Sequence, residues 1–166
     1  MNLILAADKN WALGNEGGLL CHIPGDLKYF KEKTTGKTVV MGRGTLESLP
    51  NGRGLPNRNN IVLSSQPDYQ AERAVVVHDL DELDAELAQY NSEDVFVIGG
   101  ASIYLQLLDR CSRCFVTKID AEFKADRWFT DLDKDERFRL AAKGQPMEEN
   151  GIKYRFDIYE RKEAEK

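Results

Sequence analysis

Short, unbroken apolar runs constrain this chain more than any other feature: LILAA (3–7), TVVMG (38–42), NIVLSS (60–65), AVVVH (74–78) and DVFVIGG (94–100). Runs of strand length without polar alternation belong to strands covered on both faces, the condition of a parallel sheet. Between them, apolar residues recur at helical spacing over Asp26–Thr34, Thr45–Leu49, Leu80–Tyr90 and Ser102–Leu108. Parallel neighbours need a crossover and a helix supplies it, so the alternation predicts an α/β fold. The C-terminal part is different. RFRLAAK (137–143) and IKYRFDIYERK (152–162) flank GQPMEENG, and Ile152, Tyr154, Phe156 and Ile158 alternate with polar residues, as in half-buried antiparallel strands. A mixed sheet is expected.

With 166 residues, one domain over 1–166 can bury its own core without disulfides or a structural metal. A net charge of −5 and the lack of a basic stripe argue against a nucleic-acid partner. No apolar run approaches the roughly 20 residues that span a bilayer, and MNLILAADKN is unlike a secretion signal, so a soluble, cytoplasmic protein without membrane contact is expected. Three cysteines do not make a disulfide framework. Cys111 and Cys114 form C-x-x-C, but only Cys21, His22 and His78 remain as scattered further ligands, so ordinary thiols and no metal are expected.

In an open parallel sheet, ligands bind beyond the carboxyl ends of the strands. There the chain carries Gly42-Arg43-Gly44-Thr45, Ser64-Ser65 and Gly99-Gly100-Ala101-Ser102. Small residues allow close backbone approach, helix starts offer N–H groups to phosphate, and Arg43 adds a cation, a set suited to a phosphorylated dinucleotide. Each turn alone also reads as an ordinary tight turn, and neither G-x-G-x-x-G nor a G-x-x-x-x-G-K-[ST] loop is present. Long loops at 8–25 and 50–59 are of a length that is more often functional than idle. Asp26, at the start of a helix, can be a helix-end carboxylate or a functional one.

ADKNWALG, IPGDLKYFK, VVMGRGTLESL, LPNRNNIVLSSQ, VFVIGGASIYLQLL and VTKIDAEFKAD together resemble the dihydrofolate reductase family, in its order and at its spacing, over nearly the whole chain. The resemblance implies an eight-stranded, mostly parallel sheet with an antiparallel C-terminal hairpin and about four flanking helices. It implies NADPH-dependent reduction of 7,8-dihydrofolate to tetrahydrofolate, hydride going to C6 and a proton to N5, by a monomer sensitive to antifolate inhibitors. Asp26, Thr117 and Leu19 are then the catalytic positions. Substrate contacts fall to Ile4, Leu5, Leu27, Phe30, Lys31, Leu49, Arg53, Leu55, Arg58 and Ile98, with Arg58 on the tail α-carboxylate and the Ile4 and Ile98 carbonyls facing the pterin. Cofactor contacts fall to Ala6, Leu13, Gly14, Gly17, Gly18 and Leu19 at the nicotinamide. They continue through Gly42, Arg43, Gly44, Thr45, Leu63, Ser64, Ser65, His78, Ile98, Gly99, Gly100, Ala101, Ser102, Ile103, Tyr104 and Gln106. Asp126 steadies a lid over residues 14–22, and the Gly99-Gly100 bond is expected to be cis.

The chain departs from the family pattern at Leu20 and Cys21, where proline and tryptophan are usual, and at Ser102, where some relatives carry arginine. The alternatives to this function are a related reductase of a riboflavin-pathway pyrimidine and a non-catalytic nucleotide-binding module.

Overall fold

The structure, a computed structural model, describes residues 1–16 and 18–162, with only the backbone of Gly18 and Leu19. In chain order its elements are β1 (Asn2–Ala7), β2 (Ala12–Asn15), β3 (Gly18–Leu19), α1 (Pro24–Thr34), β4 (Thr38–Gly42), α2 (Arg43–Ser48), β5 (Asn59–Leu63), β6 (Val75–Val77), α3 (Leu80–Leu87), β7 (Val95–Gly99), α4 (Ala101–Leu107), β8 (Arg113–Ile119), β9 (Arg127–Trp128), β10 (Phe138–Ala142), β11 (Met147–Glu149) and β12 (Ile152–Arg161). The main sheet follows an eight-strand path, β10-β12-β8-β1-β7-β4-β5-β6, and short β11 pairs with β12 outside it. Strands β8 through β6 on that path are parallel, whereas β12 and β10 are antiparallel.

The apolar runs lack alternation because their successive residues bury on opposite faces. Leu3, Leu5 and Ala7 pack with Val40, Ile61, Val97 and Val116 on the face covered by Leu83 of α3 and Leu107 of α4. Ile4 packs with Val39, Met41, Val62, Phe96 and Phe115 on the other, under Leu46 of α2 and the half-buried Phe30 of α1. Each such side chain contributes about 1.5–3 kcal/mol by leaving water, so both faces hold the strands in place.

Boundaries shift by a few residues from the sequence expectation. Helix α3 stops at Leu87, where a turn bonds the Tyr90 N–H to the Leu87 carbonyl, and its start is capped by Asp79 accepting from the Glu82 N–H at 2.8 Å. The stretch 8–25 is more ordered than a loop: β2 pairs with β3 and with β9, some 110 residues away, in a small antiparallel sheet. Pairing at that separation leaves no local pattern. Among the described residues no helix is long and apolar enough to cross a membrane. Cys111 and Cys114 are buried, and burial pushes the Cys111 thiol up to about 12.

Candidate active site

Asp26 lies in the first turn of α1, yet its carboxylate does not cap that helix. Ile23 holds the cap position without a side-chain bond, and the Gly25 N–H donates to Glu149 Oε1 at 3.0 Å. Asp26 Oδ1 instead accepts from the Thr117 hydroxyl of β8 at 2.5 Å, an almost fully buried partner 91 residues away. Burial raises the Asp26 pKa above the ordinary carboxylate range, while the Thr117 bond pulls it partly back. The charge is felt nearby. Burial and then Asp26 push the Cys21 thiol up, and burial, Asp26 and Asp157 push Tyr29 up to about 12.

Glu149 and Tyr154 escaped sequence reasoning. Glu149 Oε1 accepts both the Gly25 N–H and the Tyr154 hydroxyl, tying the β11–β12 hairpin to the start of α1 beside Asp26. Their signal is a contact across more than a hundred residues, and no local motif carries it.

Ile4, Phe30, Leu49 and Ile98 come together in one cluster on the cleft side of the sheet, with Ala6 half-buried nearby among Ile23, Ile119 and Cys21. The Ile4 carbonyl accepts the buried Tyr104 hydroxyl at 2.7 Å, so one of its lone pairs is already used. Leu5 turns its side chain into the core on the opposite face, which leaves only its backbone toward the cleft. Leu27 is 48% exposed, and Lys31 is exposed on the same helix.

The turns after β4 and β7 meet. The Gly99-Gly100 peptide is cis, and Gly99 has φ +132°. A Cβ on Gly99 would stand 3.3 Å from Thr45 Oγ1 and 3.5 Å from Tyr104 Oη, so glycine keeps this approach open. A Cβ on Gly42 would stand 2.8 Å from Ile103 Cγ1, whereas Gly44 faces open space. Past β5, Ser64 is buried, Ser65 is exposed and Leu63 is half-buried against the core. The Ser64 carbonyl lies 2.9 Å from His78 Nδ1, which places His78 at this same rim.

Arg43 pairs with Glu47 at 2.8 Å and lies over the Tyr69 ring at 5.2 Å. Ala101 is half-buried; Ser102 and Gln106 are exposed and bond each other at 3.0 Å along α4. Over the cleft, Asp126 Oδ2 accepts the Glu16 N–H at 2.9 Å, and its own N–H donates to the Gly14 carbonyl at 3.0 Å. Leu13 packs against the core. Gly17 and the side chain of Leu19 lie outside the described residues, and of Gly18 only the backbone course is described.

At the far end of the cleft, Arg58 donates to Thr34 Oγ1 and to the Pro56 carbonyl, and burial lowers its pKa. Asn60, 5% exposed, holds the adjoining loop by accepting the Leu55 N–H and donating to the Leu55 and Arg58 carbonyls. Arg53 and Leu55 are half-buried on that loop.

Residues 1–161 match the family model described as dihydrofolate reductase. The chain belongs to the dihydrofolate reductase family. It is 40% identical to the dihydrofolate reductase of Bacillus subtilis over 100% of this chain and 97% of that protein. It is 41% identical to dihydrofolate reductase type 3 of Salmonella typhimurium over 79% of this chain and 78% of that one. Its fold superposes on dihydrofolate reductase from Enterococcus faecalis, solved with NADP(H) and RAB-propyl, with a TM-score of 0.86 and 36% identity over 98% of this chain and 96% of that one. Family membership makes the chain an NADPH-dependent oxidoreductase that reduces dihydrofolate.

Proposed function

We propose that the chain performs this reduction in the cleft between α1, the carboxyl ends of β1, β7 and β8, and the turns after β4 and β7. The observation that carries the assignment of roles is the buried Asp26–Thr117 pair, a carboxylate with a raised pKa whose second oxygen has no partner among the described residues. Asp26 accepts hydrogen bonds from the pterin amino group and ring nitrogen, and Thr117 fixes its rotamer. With its pKa raised by burial, Asp26 sets the protonation of the bound ring, while a water delivers the proton to N5. Ile4, Phe30, Leu49 and Ile98 wall the ring and exclude water, and Arg58 takes the first carboxylate of the tail with the fork that suits it.

The open space at Gly44, the glycine approach at Gly99-Gly100 and the neighbouring Arg43 fit a phosphorylated dinucleotide. Arg43, Gly44, Thr45, Ser64, Ser65 and the stretch 99–104 hold it, and when bound NADPH supplies the hydride for C6. Exposed large apolar side chains, namely Leu27, Val75, Leu105, Trp128 and Leu140, fall on five different elements, which supports a monomer. The same reading has the protein working in the cytoplasm and taking antifolate inhibitors on Asp26. The test follows loss of reduced-nicotinamide absorbance with dihydrofolate and NADPH together. Oxidation that needs both is expected; binding of NADPH without oxidation would overturn the enzymatic reading in favour of a binding module.

A further inference from the structure

Strand β12 reaches both partners of the Asp26–Thr117 bond. On one side it pairs with β8, where Phe156 stands opposite Thr117 and Tyr154 opposite Ile119. On the other it holds α1 at two points. Tyr29 of α1 stacks on Phe156 with ring centroids 3.9 Å apart and planes at 8°. The Tyr154 hydroxyl donates to Glu149 Oε1, which also accepts the Gly25 N–H at 3.0 Å. One strand thus locates both the donor strand and the acceptor helix.

The hold on Gly25 is close. A Cβ there would overlap Glu149 Oε1 and stand 2.5 Å from Tyr154 Oη, so glycine lets the hairpin reach the helix one residue before Asp26. Tyr154 is 4% exposed and packs with Ile23 and Ile119, in a cluster that includes the half-buried Cys21 and Met147. Burial, the bond to Glu149 and its charge, and then Asp26 push the Tyr154 hydroxyl up to about 12, so it stays a neutral donor. A bond from such a hydroxyl to a carboxylate is charge-assisted, and it restrains Glu149 against the helix.

We propose that Tyr154, acting through Glu149, is a positioning residue for Asp26: the clasp on Gly25 sets the first turn of α1 in the place where Asp26 meets Thr117. This rests on the reading of Asp26 as the group that binds the pterin. Loosening the clasp lets the first turn drift from β8, which weakens the bond that pulls the Asp26 carboxyl down. Asp26 then titrates at higher pH and presents its second oxygen to the ring in a poorer position. The other titratable groups facing Asp26 are Cys21 ahead of the helix, Tyr29 on it, Tyr104 on α4, Tyr154 on β12 and Glu149 on β11. The thiol and the three hydroxyls are all pushed above their ordinary values, so none of them titrates alongside a carboxylate.

The test uses Tyr154→Phe, which keeps the ring, and Gly25→Ala, which displaces the clasp from the helix side; neither changes a charge. The Asp26 carboxyl is titrated by NMR in protein isotope-labelled at the aspartate side-chain carboxyl, its signal assigned by its loss in Asp26→Asn. In parallel, kcat/KM for dihydrofolate is followed as a function of pH. Both variants should move the Asp26 titration and the matching limb of the pH–rate profile upward. They should lower kcat/KM about three- to tenfold, the scale of one hydrogen bond, with NADPH affinity unchanged. In a Thr117→Val background the same substitutions should add little, because the bond they act through is gone. A clasp that only stabilises the fold would lower the melting temperature and leave the titration in place. That result, or a shift of equal size in the Thr117→Val background, would overturn the proposal. A titration that moves while Asp26→Asn turns over at the wild-type rate would instead overturn the pterin reading of Asp26 and leave the positioning standing.

Discussion

Replacing Asp26 by Asn keeps the shape of the side chain and removes its charge. Thr117 donates to Oδ1 at 2.5 Å, so in the variant the amide oxygen stays with Thr117 and the NH₂ group takes the place of the second carboxylate oxygen. Pterin donors then meet a donor. The loss is one charge-assisted hydrogen bond, about 1.5–3 kcal/mol, and one donor left buried without a partner, about 1–3 kcal/mol. Together these predict a fall of about 10² to 10⁴ in kcat/KM at pH 7, with residual activity rising as pH falls and solvent supplies the proton. NADPH affinity should stay near wild type.

Stability should move the other way. Burial raises the Asp26 pKa in the folded protein, so the folded state holds that proton more tightly than the unfolded chain does. The contribution of Asp26 to stability is therefore fully present below the unfolded carboxyl pKa and is lost as pH rises through the folded one. Asp26→Asn, which does not ionise, should melt above wild type at pH 7, and the gap should close as pH approaches 3.8, the ordinary value for this group. Steady-state kinetics and thermal melts over pH 4–8 measure both effects. Activity within threefold of wild type, or a lower melting temperature at pH 7, would refute the reasoning and return Asp26 to a helix-end carboxylate favoured by the dipole.

Thr117→Val removes the hydroxyl that lowers the Asp26 pKa, so the Asp26 limb of the pH–rate profile should move to higher pH; an unmoved limb counts against the pairing. Arg43→Ala should raise the Kd for NADPH severalfold more than that for NADH, because only NADPH carries the 2′-phosphate, and titrations with equal losses would remove Arg43 from that role. Glu149→Ala takes the acceptor from the Gly25 N–H and the Tyr154 hydroxyl, which should cost about 0.5–2 kcal/mol in denaturant unfolding and lower kcat/KM through Asp26. Glu149→Gln retains an acceptor oxygen, and its near-wild-type stability and rate would separate the hydrogen bond from the charge.

The sequence by itself determined the parallel core. LILAA, TVVMG, NIVLSS and DVFVIGG have no polar face to turn toward water, and that pattern is compatible only with burial on both sides. It also placed the glycine turns at strand ends, because Gly42, Gly99 and Gly100 lie directly beyond apolar runs that must be strands. For Asp26 the local signal was ambiguous, since a carboxylate in a first helical turn is favoured with or without a ligand. Tertiary structure removes only the capping duty, by bringing Thr117 from β8 to one side of Asp26 and Glu149 from β11 to the helix end. Pairing of β2 with β9 and the Tyr104 bond to the Ile4 carbonyl were likewise decided only in three dimensions. The reason is physical. Periodicity and turn chemistry act between residues a few positions apart and can be read along the chain, whereas a hydrogen bond or an uncompensated charge is defined by what the folded backbone brings within a few ångströms from anywhere in it.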